Sequence, residues 1–207
     1  MERHTDSAAR RVHCPRCTRP QRACICAWIT PVANEIALLI LQHPMETANA
    51  KGSARLLHLS VAGSRLVEGE QFGDAFLRDA LFADGRTPVL LYPATPGDSA
   101  PASLAPGLLA TPGKLRLVVL DGTWRKSRKM LYQNPLLQSL PRLPLTAMPA
   151  SHYLIRKAHA PDQLSTLEAS CHALGQLEGV PDRYAPLLAS FDRFVARFVA
   201  SGGRLQD

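Results

Sequence analysis

Acidic residues are the scarcest class of charge in this chain. Its 207 residues hold 17 Asp and Glu against 24 Lys and Arg, a formal net charge of +7, with a pI near 9.5. Such a balance says little about fold, but it favours polyanionic partners through steering and counterion release. Long apolar runs are missing as well: none approaches the roughly 20 residues needed to cross a bilayer. The N-terminal stretch MERHTDSAARRVHCPRC carries charge with no hydrophobic region behind it, which does not read as a secretory signal. A cytoplasmic protein with no membrane partner is therefore expected.

Familiar nucleotide and hydrolase motifs are absent too. There is no GxxxxGK[ST] loop, no GxGxxG after a strand and no GxSxG elbow, so nucleotide hydrolysis, dinucleotide binding and that type of acyl transfer lack support. His43, His58, His152, His159 and His172 are scattered, without the spacing of a catalytic metal motif. His43 alone stands at the end of an apolar run, where ligands collect. No internal repeat or low-complexity tract is visible. With 46% hydrophobic and 20% charged residues, the composition is that of a folded globular chain.

The most informative stretch is LVVLDGTWRKSRKML, residues 117–131. Four apolar residues stop on Asp121, the chain turns at Gly122, and Arg125, Lys126, Arg128 and Lys129 follow on the next helix. A buried strand that ends on an acid and opens into a helix is the layout of a ligand site at the carboxyl end of a parallel sheet. Asp-Gly is also a common turn dipeptide, so helix capping by Asp121 and core packing of Trp124 account for the same residues.

Basic residues are unevenly placed. Residues 1–30 hold six Arg against two acids, and residues 114–132 hold six Lys and Arg against Asp121 alone. Either run by itself reads equally well as a solvated face. Together, flanking the two richest motifs, they favour a nucleic acid.

Four of the five Cys lie within thirteen residues: Cys14 and Cys17 as CxxC, Cys24 and Cys26 as CxC. Zn²⁺ takes four thiolates in a tetrahedron, and each short turn supplies two. In a reducing compartment this clustering points to a metal rather than to crosslinks. The spacing is shorter than in an ordinary zinc ribbon, and His13 stands as an alternative to one thiolate. A four-thiolate site leaves no place for water, so the metal is structural. Arg10, Arg11, Arg16, Arg19 and Arg22 surround it and suit phosphate contacts. Cys171 belongs instead to the stripe Leu164, Leu167, Cys171, Leu174, Leu177, whose helical period predicts a buried thiol.

Apolar runs at residues 35–41, 88–92 and 115–120 read as buried strands. Helices are expected over 47–60, with Leu56, Leu57 and Leu59 inward, over 164–178, and over 186–200, with Leu187, Phe191, Phe194, Val195 and Phe198 inward and Arg193 and Arg197 outward. Residues 93–113 read as a long surface connection. The pattern predicts an α/β fold: a mainly parallel sheet with helices on both faces, preceded by the knuckle. The expected organisation is a zinc knuckle over 1–30 and a larger domain over 31–207, which the resemblance described next makes the catalytic one.

Several of these residues together resemble the DTW-domain proteins. The resemblance rests on Asp121-Gly122-Thr123-Trp124 with a basic pair and Met130-Leu131 behind it, and on the CxxC and CxC cysteines. It also rests on Gln42-His43-Pro44 followed by Asn49, on Tyr92-Pro93, and on the run from Leu164 to Ala169. These matches occur in order across residues 13–178. The tail beyond about residue 180 and the loop at 93–113 match nothing in the pattern, and Arg125 stands where a smaller polar residue is expected.

The resemblance implies a SPOUT-like fold with a trefoil knot, among the rare exceptions to unknotted chains. It implies a tRNA-uridine aminocarboxypropyltransferase that moves the 3-amino-3-carboxypropyl group of S-adenosylmethionine onto N3 of a tRNA uridine, releasing methylthioadenosine. Asp121 becomes the candidate catalytic group, as base or as electrostatic anchor. Leu120, Gly122, Thr123, Trp124, Ser165, Thr166 and His43 become candidate S-adenosylmethionine contacts, the helix start at Ser165 and Thr166 offering amides. Arg125, Lys126, Arg128, Lys129, Arg16 and Arg22 become candidate RNA contacts, with no obligate protein partner evident. The competing expectations are an RNA methyltransferase of the same fold and a non-catalytic zinc-knuckle RNA binder. Joint retention of Asp121, Thr123 and Trp124 disfavours the latter.

Overall fold

A computed structural model describes residues 12–47, 49, 52–93, 106–145 and 164–201. Its centre is a five-stranded, wholly parallel sheet of order β2-β1-β4-β3-β5. The strands are β1 (Ala37–Gln42), β2 (Arg65–Glu68), β3 (Thr87–Leu91), β4 (Leu115–Asp121) and β5 (Arg142–Leu143). The helices are α1 (Ala54–Ser60), α2 (Asp74–Phe82), α3 (Trp124–Gln133), the short α4 (Pro135–Gln138), α5 (Thr166–Glu178) and α6 (Ala185–Ala200).

Strand residues alternate between two apolar cores. Leu38, Ile40, Leu117 and Val119 face α1, α5, α6 and the cysteine knuckle. Leu39, Leu41, Val118 and Leu120 face α2, α3 and α4. Both faces are covered, which is why these strands read as unbroken apolar runs. α6 buries Leu187, Phe191, Phe194, Val195 and Phe198, as its period predicts, while Arg193 and Arg197 stay exposed. Each such side chain contributes about 1.5–3 kcal/mol of transfer free energy. Cys171 is buried on α5, and burial foremost, with Glu168 nearby, pushes its thiol well above the usual range.

Two departures from the sequence reading matter. The helix expected over 47–60 is only Ala54–Ser60, preceded by a 3₁₀ turn at Pro44–Glu46. Ahead of it, the carbonyls of Asn49 and Gly52 accept hydrogen bonds from the Arg19 guanidinium at 3.2 and 2.9 Å. The edge strands β2 and β5 and the helix α2 gave no strong sequence signal. β2 is short with both ends exposed, and α2 buries only Leu77, Ala80 and Leu81.

Connections set the location of the crevice. From β1 the chain moves to β2 on one side, and from β4 it moves to β5 on the other. Adjacent strands whose onward connections diverge leave a gap beyond their carboxyl ends, where ligands of open α/β sheets bind. Here that gap lies between Gln42 and Asp121, which are register partners. Any knot depends on the path of residues 146–163, which lies outside the described residues, as do most of the connection at 93–113, His152, His159, Arg10 and Arg11. No helix among the described residues is long and apolar enough to cross a membrane.

Candidate active site and metal centre

Asp121 ends the central strand and is buried. Oδ2 accepts from Gln42 Nε2 at 2.8 Å, and Oδ1 accepts from the Thr166 hydroxyl at 2.6 Å. The main-chain ladder runs one step further, with His43 N–H donating to the Asp121 carbonyl at 2.9 Å. Asp121 therefore joins β1, β4 and the start of α5 at one point. It does not cap α3. That role falls to Thr123, whose hydroxyl accepts from Lys126 N–H.

Gly122 sits in a crowded turn. A Cβ there would lie 3.1 Å from the Lys126 Cβ and 3.7 Å from the His43 Cβ. The tight turn lets α3 start directly above the strand end, its first amides pointing back toward the crevice.

His43 is buried beside this turn. Its Nδ1 accepts from Met45 N–H at 3.1 Å, which places the ring proton on Nε2, 2.9 Å from Glu70 Oε1. Glu70 Oε2 in turn accepts from Lys129 at 2.9 Å. Lys129 foremost, then His43, holds the Glu70 carboxyl below its ordinary range. On the other flank, Lys126 Nζ lies 2.8 Å from the buried Glu46, whose second oxygen accepts from Asn49 at 3.0 Å.

α5 begins at a capping box: Ser165 accepts from Glu168 N–H at 3.2 Å, and Glu168 Oε2 accepts from Ser165 N–H at 2.7 Å. Leu167 N–H donates to the Ser53 hydroxyl at 3.3 Å. The Ser165 hydroxyl is thus part of the cap, and the Thr166 hydroxyl sits on Asp121. Thr166 thereby meets the end of β4, while Ser165 is buried in the cap.

Trp124 is 57% exposed, which excludes the core-packing alternative. Its ring meets Tyr92 edge-on at 5.8 Å, and the Arg142 guanidinium covers Tyr92 at 5.5 Å. Further along α3, Arg128 lies over the half-exposed Tyr132 at 5.6 Å. Trp124, Arg128 and Tyr132 follow at intervals of four and form one ridge, with Arg125 and Lys129 exposed alongside. The two lysines of the expected RNA set are engaged in ion pairs, Lys126 with Glu46 and Lys129 with Glu70.

The four cysteines converge. The sulfurs of Cys14, Cys17, Cys24 and Cys26 lie within 4.8 Å of one another and could hold a metal ion. Cys14 to Cys26 is 3.6 Å and Cys17 to Cys24 is 3.8 Å. Tetrahedral Zn–S bonds of about 2.3 Å require sulfurs about 3.8 Å apart, so the spacing fits. The amides of Cys17 and Arg16 bring the Cys14 thiol down to about 6. Burial first, then the neighbouring sulfurs, pushes Cys26 up to about 12. Arg16 and Arg22 are exposed beside the knuckle. Arg19 is not a surface cation as expected: it is 8% exposed and points inward onto the 49–52 turn.

Sequence reasoning missed Glu46, Glu70, Ser53 and the inward role of Arg19. Glu70 follows His43 by 27 residues in no motif, and only the placement of β2 beside β1 brings them together. Gln42 was legible within Gln42-His43-Pro44 but not as the partner of Asp121.

Comparison with known proteins gives a consistent result. The DTW domain profile matches residues 11–199. The tRNA-uridine aminocarboxypropyltransferase 2 of Drosophila melanogaster is 32% identical over 185 residues, covering 86% of this chain and 71% of the fly protein. The mouse protein of the same name is 30% identical over 182 residues, 84% of this chain and 59% of its own length. The Arabidopsis thaliana tRNA-uridine aminocarboxypropyltransferase A is 28% identical over 151 residues, 63% of this chain and 54% of its own length. No solved structure is a significant match.

Proposed function

This chain belongs to the DTW-domain family, and from that premise we propose that it transfers the 3-amino-3-carboxypropyl group of S-adenosylmethionine to N3 of a tRNA uridine, releasing methylthioadenosine. The observation that carries the reading is Asp121, buried at the divergence of β1 and β4 and held by Gln42 and Thr166.

The chemistry asks for such a group. The sulfonium activates every carbon bound to it, so the outcome depends on which carbon faces the nucleophile. In the proposed reaction the bond from sulfur to the γ-carbon breaks and N3 of uridine bonds to that carbon. Sulfur keeps the electron pair as a neutral thioether, and the N3 proton leaves to a base. Asp121 is the proposed base or the anchor of the positive charge. The main chain of Leu120–Gly122, Thr123, the start of α5 at Ser165 and Thr166, and His43 are proposed to hold the donor.

The α3 ridge suits the acceptor. Exposed Trp124 and Tyr132 offer faces for unpaired bases, and Arg125 and Arg128 offer charge for phosphates. Arg16 and Arg22 extend the basic surface. Lys126 and Lys129 act mainly by fixing Glu46 and Glu70. The SPOUT-like class, the knot, the division at residues 30 and 31, and action in the cytoplasm complete the proposal.

Zinc is the proposed occupant of the four-cysteine site, where it supplies structure only. Metal analysis of the purified protein is expected to return about one zinc per chain. A folded, metal-free protein with four titrating thiols contradicts that assignment.

The test of the reaction is product analysis with S-adenosylmethionine and bulk tRNA. Methylthioadenosine and an acp-modified uridine are expected. Accumulation of S-adenosylhomocysteine instead assigns methyl transfer, and no turnover with intact tRNA binding assigns a non-catalytic binder.

A further inference from the structure

The knuckle is joined to the crevice by direct bonds. Arg19 lies between Cys17 and Cys24, its carbonyl accepting from Cys14 N–H at 2.8 Å. Its buried guanidinium crosses to the carbonyls of Asn49 and Gly52. A second tie runs the other way: Arg55 of α1 donates to the Cys17 carbonyl at 3.2 Å and to the Thr18 hydroxyl. Thr18 has φ 59°, a left-handed conformation costly for a β-branched residue and maintained only where surroundings enforce it.

The segment that Arg19 holds is bonded to the starts of α3 and α5, the two helices beside Asp121. At one end Glu46 pairs with Lys126 at the start of α3 and accepts from Asn49. At the other end Ser53 receives the Leu167 amide at the start of α5, next to Thr166, which holds Asp121. From the cysteine turn to the Asp121 carboxylate, each step is a hydrogen bond or an ion pair or is covered by a few residues of chain.

We propose that the cysteine knuckle is a positioning element of the reaction site, with Arg19 as the residue that transmits its geometry to the turn between Glu46 and Ser53. This rests on the reading that the crevice takes S-adenosylmethionine. Metal binding fixes the CxxC turn, the turn fixes Arg19, and Arg19 fixes the carbonyls of Asn49 and Gly52. The knuckle is then required for donor binding even where it touches no RNA. Two sites coupled through one element affect each other equally, so donor binding also strengthens metal retention.

The test compares metal-loaded wild-type protein with Arg19→Lys, which keeps a cation but loses the planar fork. Gly52→Ala is the second variant, because its Cβ would press on the Asn49 carbonyl at 3.1 Å and meet the Arg19 guanidinium at 3.7 Å while leaving the four cysteines untouched. Hydrogen exchange is followed at the amides of Asn49, Gly52 and Leu167, which donate to Glu46, Asn49 and Ser53. Both variants are expected to bind one metal, lose protection at these amides and bind S-adenosylmethionine roughly tenfold more weakly. Their salt dependence of tRNA binding is expected to stay unchanged. In the wild type, S-adenosylmethionine is expected to slow removal of the metal by a chelator; in Arg19→Lys that effect is lost. Protection changes confined to residues 12–26, or unchanged donor affinity with an altered turn, overturn the proposal. If the wild type binds no S-adenosylmethionine, the transferase reading fails instead, while the exchange data still decide whether Arg19 holds the turn.

Discussion

The two ends of the sheet each bury a carboxylate, and they use it differently. At the amino end, the Glu178 side chain is fully buried. Oε1 accepts from the amides of Glu35 and Ile36 at 2.9 and 3.1 Å, and Oε2 accepts from Arg183 at 2.7 Å and the Tyr184 hydroxyl at 3.0 Å. Two of these donors are main chain, and one is a permanent cation. Burial first, then Glu178 itself, pushes the Tyr184 hydroxyl far above its ordinary range, so it remains a donor. At the carboxyl end, Asp121 is held by the amide of Gln42 and the hydroxyl of Thr166, neutral groups that can rotate or flip. Glu178 is thus tied to main chain and to a cation at one end of the sheet, whereas the Asp121 bonds include two neutral side chains from other elements where β1 and β4 diverge.

Shape alone favours the amino end. A depression of about 450 Å³ lies at the amino end, lined by residues including Pro31, Asn34, Glu35, Arg183 and Pro186. It offers volume, but its charges are already committed to Glu178 and Glu35. The carboxyl end combines diverging strands, helix N-termini and the buried Asp121 carboxylate.

The largest expected effect separates the two carboxylates by function. Asp121→Asn keeps size and the bonds to Gln42 and Thr166, because Gln42 can flip and the Thr166 hydroxyl can turn to suit an amide. It cannot take a proton or offset a sulfonium. Single-turnover modification with tRNA and S-adenosylmethionine saturating is expected to slow by about 10²–10⁴-fold, with the melting temperature nearly unchanged. A near wild-type rate would make Asp121 a structural residue like Glu178.

Glu178→Gln is expected to show the reverse pattern. It removes the partner of Arg183 and exchanges an acceptor for a donor opposite fixed donors. A loss of about 1–3 kcal/mol is expected, or roughly 2–4 °C in melting temperature per kcal/mol for a chain of this size. Turnover below the melting transition should be retained. Loss of turnover without loss of stability would erase the distinction between the two ends.

Smaller effects sharpen the account of the carboxyl end. Trp124→Ala is expected to weaken tRNA binding by about 1–3 kcal/mol with little change in salt slope, as loss of base stacking requires. Arg128→Gln is expected to lower the salt slope by about one unit. Equal salt dependence in the two variants would remove the division between stacking and phosphate contact along α3.

The smallest effect is a pH dependence. Because Lys129 and His43 depress the Glu70 carboxyl below 4.5, its stabilisation is present above that value and fades as the pH falls through the lowered one. Thermal melts between pH 5 and 3 should therefore show a slightly shallower acid loss for Glu70→Gln than for the wild type. Identical curves would show that the exposed pair contributes nothing, as many surface pairs do.

Much of this architecture was legible because burial on both faces writes itself as apolar runs. β1, β3, β4 and the inward faces of α5 and α6 follow directly from that rule. The knuckle was legible from residue type and spacing, and Asp121 from its position after such a run. What stayed hidden depended on long-range assembly. β2 and α2 have too few buried residues to print a period, and Glu70 reaches His43 only through sheet order. Arg19 looked like one more cation in a basic segment. Its burial goes with its bonds to the Asn49 and Gly52 carbonyls, 30 and 33 residues away, which no local pattern encodes. Trp124 shows the same limit in reverse: an aromatic after a turn fits core or surface equally, and only the start of α3 above the strand end exposes it.

The most direct test of the central claim is a crystal structure with methylthioadenosine bound. The account places the ligand beyond the carboxyl ends of β1 and β4, against Gly122, Thr123 and the first turn of α5, with its sulfur facing the Asp121 side. A ligand seated in the depression at Glu35 and Arg183, or a crevice that stays empty at saturating concentration, would contradict it.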